Sequence, residues 1–99
     1  MNPKNNINVT MKKYKLTEES MLHKGYTLWC IENIATGEKG GWIENEKNLS
    51  QSGDCMILEN AKVFEKAVIK NNAQVYGTAR VKQEIIVATD EYLVEYQYT

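Results

Sequence analysis

"NAKVFEKAVIKNNAQVYGTARV", residues 60–81, sets Ala61, Ala67, Ala73 and Ala79 at a pitch of six, each followed two positions later by Val63, Ile69, Val75 or Val81. A helix would scatter positions six apart around its axis. On an extended chain residues two apart point the same way, so each alanine and its branched partner share one face of a short strand. The residues between strands are polar or small: Glu59-Asn60, Glu65-Lys66, Asn71-Asn72, Gly77-Thr78 and Gln83-Glu84. A short strand and a two-residue corner, repeated every six residues, is the pattern of a parallel β-helix. The small residue stands where the backbone bends inward, and the branched residue fills the middle of each wall. The register is clean from Cys55 to Val87. Before it, Leu49 falls in the small slot, and Gln51 and Asn45 fall in the aliphatic one.

Working outward, the 99 residues suit one domain near the lower end of what buries a useful core. Residues 1–13 are expected to be a mobile leader, 14–48 capping strands, 49–88 the hexapeptide-repeat β-helix of about two coils, and 89–99 a C-terminal capping strand. The expected class is all-β. "TEES" (17–20) offers a short helix start with Thr17 as N-cap, and "ATGEKGG" (35–41) reads as a turn. A net charge of −1 gives no global drive toward nucleic acid, so direct nucleic-acid binding is not expected. No run approaches the ~18 apolar residues of a membrane span, and the polar start "MNPKNNINVT" lacks a signal-peptide core. A cytoplasmic protein is expected, with no membrane partner. Cys30 and Cys55 form no metal-binding spacing and read as free core thiols.

The units resemble those of the left-handed β-helices of the hexapeptide-repeat family, in which three units close one triangular turn. The lead-in Gly40-Gly41-Trp42-Ile43-Glu44, with Asn48-Leu49-Ser50, also resembles small phage and prophage proteins that carry similar alanine-x-valine repeats. That likeness spans roughly Tyr26 to Val81. It implies coil handedness and a host bacterial cytoplasm as the setting.

If three units close a turn, residues eighteen apart stack on one wall. One wall then carries Met56, Leu58, Gln74 and Tyr76, the second Lys62, Phe64, Arg80 and Lys82, the third Val68, Lys70, Ile86 and Ala88. The Met56, Leu58 and Tyr76 wall, with Tyr92, Tyr96 and Tyr98 of the tail, is a candidate protein-binding or homo-oligomer surface, unless the tail folds over it. Lys62, Arg80 and Lys82 around Phe64 form a candidate phosphate or nucleotide site, with an ordinary solvated face as the alternative. Glu44, Glu46 and Asp54 are too irregularly spaced for a convincing cation site, and no cofactor or metal is expected.

The chain's single histidine, His23, lies outside the repeat and is expected at the surface; as a catalytic base it would need Glu18 or Glu19 to orient it. No catalytic residue is therefore assigned, and the chain reads as a non-enzyme. The leading functional expectation is a phage-type binding protein that inhibits a bacterial defence system, anti-CRISPR-like or sequestering a nucleotide signal. A structural assembly protein comes second, and a degenerate hexapeptide acyltransferase third.

Overall fold

The computed structural model describes residues 12–88 and the backbone strand Tyr92–Val94. The rest of the expected leader, and Tyr96 and Tyr98 of the expected tail surface, lie outside these residues. The described chain is all-β apart from one 3-10 turn, Glu46–Asn48. Three long strands come first: β1 (Tyr14–His23), β2 (Tyr26–Asn33) and β3 (Lys39–Ile43). Short ones follow: β4 (Met56–Ile57), β5 (Lys62–Val63), β6 (Val68–Ile69), β7 (Gln74–Tyr76), β8 (Arg80–Val81), β9 (Ile86–Val87) and β10 (Tyr92–Val94).

They form three sheets, ordered β1-β2-β3-β5-β8, β10-β7-β4 and β9-β6. Every pairing among the short strands is parallel and eighteen residues in register. Met56 faces Gln74, Lys62 faces Arg80, Val68 faces Ile86, and Tyr92 faces Gln74 from the other side. The Met56 amide donates to the Ala73 carbonyl at 3.1 Å, that of Lys62 to Ala79 at 2.8 Å, and that of Val68 to Ile85 at 2.9 Å. The small slots Cys55, Ala61, Ala67, Ala73 and Ala79 are all 0% exposed, as are the branched slots Ile57, Val63, Ile69, Val75 and Val81. The two-residue alternation has become a continuous column of aliphatic side chains, each worth roughly 1.5–3 kcal/mol of burial for a residue of valine size or larger.

The corners solve a backbone problem. Glu59, Glu65, Asn71 and Gln83 all have φ near +60° (60°, 59°, 60° and 65°), and Gly53 and Gly77 take the same conformation at 74° and 72°. A left-handed residue every six positions turns the chain without breaking the ladder, at a local cost of about 1 kcal/mol for a residue with a Cβ. Side chains offset that cost. Glu59 Oε1 accepts the Gly77 amide at 2.8 Å, and Glu65 Oε1 accepts the Gln83 amide at 2.7 Å. These two corners thus fasten the corners eighteen residues on.

Before Cys55 the ladder changes pitch. Trp42 faces Lys62 and Leu49 faces Ile69, twenty residues apart. Two extra residues therefore lie between Leu49 and β4, so Leu49 belongs to the branched slot rather than the small one. The loop that holds them is clamped from β1: Gln51 Oε1 accepts the Lys13 amide at 2.9 Å, and Lys13 Nζ donates to the carbonyls of Gly53 at 3.0 Å and Cys55 at 2.6 Å. Buried Tyr14 closes the same region, its hydroxyl donating to the Leu49 carbonyl at 2.6 Å.

Two local expectations fail. Thr17 caps no helix; "TEES" continues β1 through a register shift between Leu16 and Ser20, with Thr17 Oγ1 donating to the Cys30 carbonyl at 2.9 Å. Cross-strand pairing with β2 overrides the weak helix propensity of those polar residues. The turn after β2 also ends sooner than expected. Gly40 and Gly41 lie within β3, where a Cβ on Gly41 would come within 2.7 Å of the Ala61 carbonyl oxygen. Their role is close backbone approach, not turning.

Gly53→Ala is expected to lower stability by about 2 kcal/mol or more, because a Cβ there collides with the Asn71 carbonyl and φ is positive. Gln83→Gly, at a corner that tolerates glycine, should change it by less than about 1 kcal/mol. Denaturant titration of the two variants reads the contrast. Asn48 offers a second check, since its Oδ1 accepts the Glu44 and Asn45 amides at 3.0 Å each and its Nδ2 donates to the Ala67 carbonyl at 2.8 Å. Asn48→Leu leaves those buried backbone groups unpaired and should cost about 3 kcal/mol in the same titration.

Candidate functional site

The two-residue turn Lys24-Gly25, with φ of 52° and 89°, folds β1 back on β2 and sets His23 directly opposite Tyr26. Both rings come to rest on Phe64. The His23 and Phe64 centroids are 5.4 Å apart with the rings at 75°, an edge-to-face contact; Tyr26 and Phe64 are 5.0 Å apart at 45°. Phe64 is 2% exposed. The hairpin thus lies over the wall that carries Lys62, Arg80 and Lys82, and closes the aromatic position at its centre.

Beside Phe64, Glu65 gathers several contacts. Its carboxylate accepts the Tyr26 hydroxyl in a short hydrogen bond and the Gln83 amide at 2.7 Å, and its own amide donates to Glu44 Oε1 at 2.8 Å. The Tyr26 bond holds the Glu65 carboxyl below its usual range and pushes the Tyr26 phenol up. Tyr26 is therefore a fixed, protonated donor and not a base.

Lys62 and Arg80 are facing neighbours across β5 and β8. Lys82 follows Arg80 at the spacing that returns to the same face. Partial burial, and then Arg80, lower the Lys62 ammonium from its ordinary value. The same environment acts on His23, held below the ordinary imidazole value first by desolvation and then by Lys62, Arg80, Lys24 and Lys82. His23 Nε2 is shut off from solvent and has no hydrogen-bond partner among the described residues. The chain's one histidine is thus neutral at pH 7 and chemically uncommitted.

Against the sequence reading, the structure brings Lys62 and Arg80 together on one wall and places Lys82 near them. It corrects Phe64, which is covered by the hairpin and offers no open face for stacking. It also corrects His23, which packs against the repeat instead of standing at the surface. Glu19 does not orient it, but pairs with Lys39 at 3.3 Å. Met56 and Tyr76 are half-buried and Leu58 is 37% exposed. Cys30 and Cys55 are free and buried. Glu46 pairs with Lys12, and among the described residues no three His, Cys, Asp or Glu side chains converge as metal ligands. The sequence holds a local signal for this hairpin: "HKGY" (23–26) is a two-residue glycine turn between extended segments, and it brings His23 opposite Tyr26.

The chain is 31% identical, over 100 aligned positions covering 86% of it, to a protein of Escherichia coli K12 described as the uncharacterized acetyltransferase YdcK. The match spans 30% of that protein, so the chain corresponds to under a third of its length. No protein-family model and no solved structure matches. Similarity to a bacterial protein described as an acetyltransferase overturns two expectations, that the chain is a non-enzyme and that it is a phage-type inhibitor of a defence system. Nothing supports a phage origin. The location expected in a host cytoplasm reduces to a narrower statement: among the described residues no helix is long and apolar enough to cross a membrane.

The histidine's environment sets a pH dependence with a definite sign. Its folded-state midpoint lies below the ordinary value, so the unfolded chain takes up the proton first as pH falls. Stability from this group is intact above about pH 6.5 and is lost below it. His23→Gln should flatten that part of the curve, so that the wild-type advantage at pH 7 over pH 5 shrinks in the variant's thermal midpoints.

Proposed function

We propose that this chain is an acyltransferase of the hexapeptide-repeat type, with His23 as its general base. The three sheets, parallel wherever the short strands pair, are then the walls of a short β-helix of about two coils over residues 49–88, with the antiparallel strands of 14–48 at one end. The eighteen-residue register and the corner at every sixth residue support that architecture. The acetyltransferase relative supports the reaction class.

The observation that carries the reading is the placement of the single histidine. A general base must be neutral at working pH and free to take a proton. His23 meets both conditions, held neutral by its surroundings with Nε2 uncommitted. Nε2 is closed to solvent in this conformation, so the reaction requires the Lys24-Gly25 turn to move aside and admit the acceptor. As the acceptor's hydroxyl or amine attacks the carbonyl of an acyl thioester, His23 takes its proton. The carbon–sulfur bond breaks, the thiolate leaves, and the proton passes to it, giving an acylated acceptor and a free thiol. Phe64 holds the imidazole in an edge-to-face contact, with Tyr26 resting on the same ring.

No carboxylate orients the imidazole in the way such bases are commonly oriented, and the surrounding cations oppose the imidazolium that proton transfer creates. Both features imply slow turnover. The test is release of free thiol from acetyl-coenzyme A across a panel of hydroxyl and amine acceptors. His23→Ala should lower the rate by about 10²–10⁴-fold. Thiol release that is acceptor-dependent and insensitive to this substitution would remove His23 from the reaction; no release with any acceptor would remove the acyltransferase reading.

A further inference from the structure

The wall beneath the hairpin carries an electrostatic cost that the folded chain relieves only in part, where the Glu65 carboxylate feels the charge of Lys82. Lys62 and Arg80 leave adjacent strands in direct register, about 5 Å apart at the backbone, and like charges so placed destabilise a sheet. Lys82 and the hairpin's Lys24 add to the same field, as their effect on His23 shows. The ion pairs among the described residues engage Lys12, Lys15, Lys39 and Lys66, and none engages Lys62, Arg80 or Lys82. The Lys62 ammonium donates to the Asn60 carbonyl at 3.2 Å, a neutral acceptor. Glu65 forms no ion pair with these cations, and its carboxylate is engaged by Tyr26 and the Gln83 amide.

Half-buried cations outside any ion pair, beside an imidazole whose Nε2 has no partner, offer charge complementary to a compact multivalent anion. We propose that Lys62, Arg80 and Lys82 bind the phosphate or diphosphate group of a ligand next to His23. Arg80 supplies a planar fork for two phosphate oxygens, and the lysines supply point charges on either side. Binding supplies the missing counter-charge, so the ligand-free repulsion becomes ligand affinity.

The groups facing His23 are Lys24 of its own turn, Tyr26 of β2, Lys62 of β5 with Phe64 just beyond it, and Arg80 and Lys82 on and after β8. The titratable ones are cationic except Tyr26, whose proton is held by Glu65. A bound dianion offsets their field and makes the imidazole a stronger base. Occupation of the phosphate site therefore arms His23, and the base gains strength when substrate is present.

The binding claim is tested without any activity measurement, so it stands or falls apart from acyl transfer. The chain's one histidine gives one set of imidazole resonances. The full chain without a histidine tag is titrated with inorganic diphosphate and followed by NMR, with thermal midpoints in parallel. The expected result is a saturable shift of the His23 signals, a rise in the His23 protonation midpoint, and a rise in melting temperature. Arg80→Gln with Lys82→Gln should weaken diphosphate binding at least about tenfold, while the ligand-free variant melts no lower than wild type because a repulsion has been removed. Lys62→Gln alone should show the same pattern and covers the case in which the double variant does not fold. Lys66→Gln with Lys70→Gln, outside the cluster, should bind as wild type. Coenzyme A and glucose 1-phosphate enter as competitors: displacement by the first assigns the phosphate to the acyl donor, by the second to the acceptor. Absence of a saturable response in wild type, or equal affinity in all variants, would overturn the proposal.

Discussion

The structure depends on a backbone turning through the left-handed region at every sixth residue while keeping its inter-strand hydrogen bonds. Glu59, Glu65, Asn71 and Gln83 accept positive φ although each carries a Cβ. The strain is tolerable because neighbouring corners are fastened across the ladder, as Glu59 does for Gly77 and Glu65 for Gln83. Removing those side-chain acceptors would hand the exposed Gly77 and Gln83 amides to water and loosen the bends. The backbone ladder keeps alanine over alanine and valine over valine, and the corners let the chain turn without interrupting it. Core packing and corner chemistry are one constraint viewed from two sides.

The same geometry creates the candidate site. A parallel ladder in strict register stacks like upon like, so a lysine on one strand meets whatever lies eighteen residues later. For Val63 and Val81 that stacking is favourable. For Lys62 and Arg80 it forces two cations into adjacency. The hairpin then encloses that adjacency by laying His23 and Tyr26 over Phe64, which lowers the local solvation and sharpens the field. Glu65 is both a corner and a site residue: its strained backbone, its bond to the Gln83 amide and its bond to the Tyr26 hydroxyl couple the hairpin to the coil. The site is therefore as rigid as the corners that hold it.

The repeat, its corners and its register were legible because they are periodic, and period survives in sequence without any knowledge of contacts. The slip at Leu49 was not, since two extra residues between walls break the count and only the pairing of Leu49 with Ile69 restores it. The burial of Phe64, 2% exposed under His23 and Tyr26, was not legible. Burial there comes from residues some forty positions away, and nothing in the local pattern around Phe64 announces them. His23 was misjudged for the same reason, although the glycine turn beside it carried the missing clue. The proposed reaction class rests on a relative described as an acetyltransferase, since a lone histidine beside lysines carries no motif by itself.

The two surplus residues between Leu49 and β4 have a consequence for how such chains change length. Where corners bond to corners eighteen residues away, adding or losing one residue rotates every later side chain off its wall, and only whole turns can be gained or lost without damage. The 50–55 loop escapes this rule because Gln51 and Lys13 hold it from outside the ladder. It is a place along the described ladder where the count between strands is already broken, and therefore where related chains can differ in length while their paired strands stay in register.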